Sequence, residues 1–142
     1  MRSVLRSVFA VVAGFVVATI VMMAVESANG RLLYPELGKL ASGMTDREAI
    51  RNLLASAPVG AFLVVAFGWA LGSFAGGCTA AWIAGRSPVA HALGVGGLLI
   101  LAGVANNLMI PPPLWFWIVG LVVLLPAAYA GARLAPRPRQ AG

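Results

Sequence analysis

One cysteine, Cys78, and one histidine, His91, are all the chain offers as thiolate or imidazole ligands, and only four of its side chains are acidic. A lone cysteine excludes an intrachain disulfide, a zinc knuckle and a dithiol relay. Together with His91 it falls short of the three or four protein ligands that zinc or copper requires. The bland reading is a histidine in the first turn of a helix and a buried, inert thiol. The acids are Glu26, Glu36, Asp46 and Glu48, and only Glu26 lies in an apolar run. There is no paired carboxylate, no Ser/His/Asp set and no glycine-rich phosphate loop, so an enzyme is the least supported class and no cofactor is expected.

Charge is scarce as well. Charged residues make up 10% of the chain against 61% hydrophobic ones, where soluble domains carry about a quarter, and the mean hydropathy is +0.93. The sequence predicts one integral membrane domain, residues 1–142, whose first partner is the lipid bilayer. The formal net charge of +6 comes from ten basic residues scattered over termini and loops. That scatter argues against nucleic acid, which needs a basic face, and for charges that set membrane topology.

What the chain has instead is long apolar stretches with small residues at helical spacing. Over residues 58–84, Gly60, Gly68, Gly72, Gly76, Ala80 and Ala84 fall on a four-residue ladder broken only by Val64. As a helix the stretch is about 40 Å long, more than the roughly 30 Å bilayer core. Its glycine stripe, a glycine zipper in pattern, is expected to be a packing seam, because small residues let neighbouring backbones approach where lipid supplies no hydrophobic push. A first span over 5–28 repeats the stripe through Ala10, Gly14 and Ala18, with Met22 and Glu26 on the same row. Arg2 and Arg6 before it give the order of a secretory signal, but the run exceeds the 7 to 15 residues of a signal's apolar region, so an uncleaved span is expected. A third span covers 89–109, entered through Gly85, Arg86, Ser87 as N-cap and Pro88, with Gly96, Gly103 and Asn107 at three-to-four spacing. Pro111, Pro112 and Pro113 force an extended turn. The fourth span, 114–134, contains Pro126, which takes the helical donor from the Val122 carbonyl and predicts a kink; Pro136 and Pro138 end the order.

The fold class expected is therefore all-α, a four-helix transmembrane bundle with a short amphipathic helix in the first loop, 29–57. Thr45 and Glu48 have capping-box spacing at its start. Ala49, Ile50, Leu53 and Leu54 make an apolar face opposite Arg47, Arg51 and Asn52, suited to a lid at the membrane face. One side of the membrane receives Arg2, Arg6, Arg86, Arg133, Arg137 and Arg139; the other receives Arg31, Lys39, Arg47 and Arg51 with the opposing acids Glu36, Asp46 and Glu48. The positive-inside rule then puts both termini in the cytoplasm and the lid outside, with Trp115 and Trp117 in the outer aromatic belt and Trp82 and Tyr129 in the inner one.

Glu26 is the leading candidate for chemistry, because an ionisable group on the interior face of a span is costly. It lies about 31 Å along its helix, near the outer boundary, where Asn106 and Asn107 also end up. Glu26, Arg31, Asn106 and Asn107 form a candidate polar pocket beneath the lid, and Gly14, Gly68, Gly72 and Gly76 are the candidate packing residues. The competing reading has Glu26 reaching interfacial water or pairing with Arg31. Trp69, mid-span, reads as packing.

Glu26 before Tyr34 and Pro35, Gly68 and Trp69 leading to Gly72, Gly76 and Gly77, and Asn106 and Asn107 ahead of the three prolines and Trp115 resemble the pattern of small uncharacterised bacterial four-span inner-membrane proteins. The chain also has a superficial likeness to small multidrug resistance transporters, which implies four short spans, a first-span glutamate and a dimeric transport unit. It departs from them in a glutamate nearer the outer end and in a far longer first loop. The function expected is a non-enzymatic role in helix packing, interaction or envelope support. The alternative is a small homo-oligomeric transporter or channel using the outer polar pocket.

Overall fold

The computed structural model describes residues 2–136. Arg137 and Arg139, which enter the charge count, and Pro138 lie outside the described residues. All regular structure among the described residues is helical: α1 (Arg2–Ala28), a π-helical turn (Asn29–Leu33), α2 (Pro35–Ala41), α3 (Arg47–Ser56), α4 (Val59–Ala84), α5 (Pro88–Met109), α6 (Leu114–Val122) and α7 (Leu124–Leu134). Four stretches are long and apolar enough to cross a membrane, Ser3–Leu33, Val59–Ala84, Pro88–Met109 and Leu114–Leu134.

α4 is the central element, with α1, α5, α6 and α7 all packed on it. Its glycines explain the position. A Cβ on Gly14 of α1 would lie 2.6 Å from the Gly76 carbonyl oxygen, and one on Gly76 would fall against the Gly14 carbonyl. A Cβ on Gly72 would lie 2.7 Å from the Ala18 carbonyl, and one on Gly68 would lie 2.8 Å from Val25. The α1 and α4 backbones therefore touch along an antiparallel row through Gly14, Gly68, Gly72 and Gly76, while Gly60 meets the Tyr34 side chain. A second close approach, not anticipated from the sequence, joins α4 to α7. There Gly77 lies against the Ala128 carbonyl and Gly131 against the Phe74 carbonyl, while the buried Ser73 hydroxyl donates to the Leu124 carbonyl at 2.6 Å. Each atom pair in such a contact contributes only about 0.1–0.2 kcal/mol, but close backbones multiply the pairs.

Larger side chains fill one end of the packed helices. Phe62, Trp69, Trp115 and Phe116 interlock with ring centroids 5.4–6.0 Å apart, in tilted and edge-to-face arrangements that suit the ring quadrupoles. Leu54 and Ala57, from α3 and its end, pack against the buried core to which Phe62, Trp69 and Phe116 belong, so the amphipathic helix lies on the protein through its apolar face.

Local expectations are corrected at three points: the end of the first span with its loop, the cap of α3 and the start of α5. The first span does not stop at Ala28 but continues through the π-helical turn, and the loop holds a second short helix, α2, folded back so that Gly38 lies against the Gly30 carbonyl. α3 is capped by Asp46 rather than Thr45: Asp46 Oδ2 accepts from the Ala49 N–H at 3.0 Å, and a carboxylate there also favours the helix dipole. Ser87 stands at the N-cap of α5 without a side-chain cap, in a left-handed conformation with φ 47°, its carbonyl instead accepting from the His91 N–H. The fourth span is divided at Val123 into α6 and α7, next to Val122, whose carbonyl the Pro126 ring crowds.

Candidate functional site

Glu26 continues the α1 row that begins with Ala10, Gly14 and Ala18, and so it reaches α4. There it meets Trp69, a 5% exposed indole whose Nε1–H donates to Glu26 Oε1 at 2.9 Å. A buried indole has one donor and no acceptor, and an apolar surrounding cannot satisfy it; the carboxylate does. The ring has room because Gly103 of α5 and Gly120 of α6 carry no side chain: a Cβ at either would lie 3.4 Å and 3.1 Å from Trp69 Cζ3.

The pair stands at one end of a groove of about 270 Å³ between α1 and α5, lined by Phe15, Met22, Leu99 and Leu124 as well as Glu26 and Asn106. Glu26 and Asn106 are both exposed. The other two members of the predicted pocket lie elsewhere. Arg31 is exposed, and the one ion pair among the described residues joins Lys39 and Glu36, so among those residues Glu26 makes no ion pair. Asn107 is 1% exposed and lines a different hollow, toward α3 and α6. Neighbouring residues on a helix point about 100° apart, so α5 directs its two amides to different sides. Chemically, the groove presents one carboxylate beside apolar walls. It can accept a hydrogen bond or a positive charge brought to it laterally, and it holds no nucleophile with a neighbouring base.

Two polar contacts that the sequence reading did not identify hold α1 against α4 at either end. The Asn29 Nδ2–H donates to the Ala61 carbonyl at 3.1 Å, where a loop was expected to begin. The Arg6 Nε–H donates to the Ile83 carbonyl at 2.7 Å, placing a cation at the negative end of the α4 dipole. The signal for Trp69 was its need for an acceptor; Arg6 carried none beyond its position. His91 Nδ1 lies 2.9 Å from the Ser87 carbonyl, Cys78 is half-buried, and no cluster of metal ligands forms among the described residues.

The four apolar helices fit a multi-pass membrane protein. Comparison with protein-family models, with curated protein sequences and with solved structures gives no match, so the functional reading rests on the residues themselves.

Proposed function

We propose that the chain is a non-enzymatic, single-domain, multi-pass protein of a bacterial inner membrane, a four-helix transmembrane bundle whose role is interaction with other membrane components or support of the envelope. The observation that supports this reading is a filled interior. Backbones close on one another at Gly14, Gly72, Gly76, Gly77 and Gly131, and the buried polar residues among those described are few, Asn29, Ser73 and Asn107. Ser73 is already bonded to Leu124, and a conducting path needs continuous polar lining. The outward side of α1, with Val8, Phe9, Val12, Val16 and Ile20 exposed, suits contact with acyl chains or another helix.

A second reading is favoured by one feature, the Glu26 carboxylate in its lateral groove without a cation. A second copy of the chain closing that groove would make a small transporter. Purified protein in liposomes separates the two. The interaction reading expects proton and ion leakage equal to that of empty vesicles, for both the wild type and Glu26→Gln. A flux present in the wild type and lost in Glu26→Gln would replace it with the transporter. Mass determination in mild detergent gives the number of copies for either.

A further inference from the structure

We propose that the cleft between α3 and the α5–α6 turn binds a phosphate group, carried by a phospholipid headgroup or by a free phosphate-bearing solute. The cleft has a volume of about 590 Å³ and is lined by Arg47 and Arg51 of α3, Asn107 of α5, Pro113, and Leu114 and Trp117 of α6. Three independent features converge on it.

Arg47 and Arg51 are one helical turn apart and therefore share a face of α3. Neither is paired, since the one ion pair among the described residues is Lys39 with Glu36. Asp46 and Glu48 border the adjoining hollow beside the same arginines, but the Asp46 carboxylate is engaged at the α3 cap and no acid lines the cleft itself. The second feature is Asn107. It is 1% exposed, and neither its Nδ2 nor its Oδ1 has a hydrogen-bond partner, an arrangement that buried amides rarely tolerate. A ligand oxygen in the cleft would take its donor. The third is the N-terminus of α6, which begins after Pro113 without a side-chain cap and presents unpaired N–H groups and the positive end of the helix dipole.

A tetrahedral oxyanion suits donors arriving from several directions, and guanidinium forks match phosphate oxygens in pairs. The cleft lies at the ends of two long apolar helices, and Trp117 with Leu108 and Leu114 offers apolar surface beside it. The proposal stands apart from the interaction reading and from Glu26, so either can fail without the other.

The test is thermal unfolding of the delipidated full chain in mild detergent, titrated in separate arms with inorganic phosphate and with phosphatidylglycerol in mixed micelles. A saturable rise in melting temperature is expected. A rise in both arms assigns the site to free phosphate chemistry, and a rise with the phospholipid alone assigns it to a headgroup; both outcomes support the proposal. The pair Arg47→Gln with Arg51→Gln, at exposed positions where folding should survive, is expected to weaken binding by about tenfold or more, the size of lost charge-assisted hydrogen bonds. Arg31→Gln and Glu26→Gln should bind as the wild type does. The proposal is overturned if neither ligand shifts the melting temperature, if the arginine pair variant keeps wild-type affinity, or if Arg31→Gln weakens binding equally, which would mean diffuse charge.

Discussion

A Cβ on Gly76 would fall against the Gly14 carbonyl, whereas one on Gly97 would meet nothing within 4 Å. The two helical glycines thus make opposite predictions. Gly97→Ala should keep or raise the melting temperature in detergent, by up to about 1 kcal/mol of stability, because alanine loses less backbone freedom on folding. Gly76→Leu should abolish the folded species or lower its melting sharply, while Leu71→Ala, at a 40% exposed position, should not; equal melting of the two variants would remove the seam. Glu26 carries the second prediction at this scale. Its bond to Trp69 means that Glu26→Gln and Trp69→Phe should be non-additive by more than about 0.5 kcal/mol in a double-mutant cycle, while Glu26→Gln and Asn107→Ala should add. A coupled Glu26 and Asn107 would place the two amides of α5 together after all. Of the four predicted pocket residues, Glu26 and Asn106 share the groove. Sequence spacing located all four near one depth, but the depth of a residue says nothing about the side of the helix it faces.

At the scale of the element, α3 was legible and its surroundings were not. Its apolar face follows from Ala49, Ile50, Leu53 and Leu54, and Leu54 does pack against the buried core. Replacing that contact with a charge, Leu54→Asp, should free α3 from the bundle: amide exchange over residues 47–56 should accelerate by at least about tenfold while the spans keep their protection, since sub-global opening tracks lost apolar burial. Unchanged protection would show that α3 is held by its other contacts. α2 was missed because its seven residues have too short a period to read and its fold-back depends on Gly30 and Gly38 lying against each other. The division at Val123 was legible, since Pro126 acts on the carbonyl four residues before it whatever the helix touches.

For the whole molecule, the distribution of basic residues predicts cytoplasmic termini. A reporter that is active only after export, fused behind Gly142, should stay inactive; activity would invert the topology and put α3 with its arginine cleft on the cytoplasmic side. Legible in the residues alone were the four long apolar helices, the polar first loop and the small-residue spacing along α4, because apolar length, charge and four-residue spacing are properties of a single helix. Only the tertiary structure decided which neighbour each face meets. α4 carries no charged residue and is buried on more than one side, so no charged stripe marks where α1 ends and α7 begins. The contact of Gly77 with Ala128, the Glu26 bond to Trp69 and the different hollows that Asn106 and Asn107 line follow from the rotation and order of packed helices, and these are set when the backbones close on their glycines.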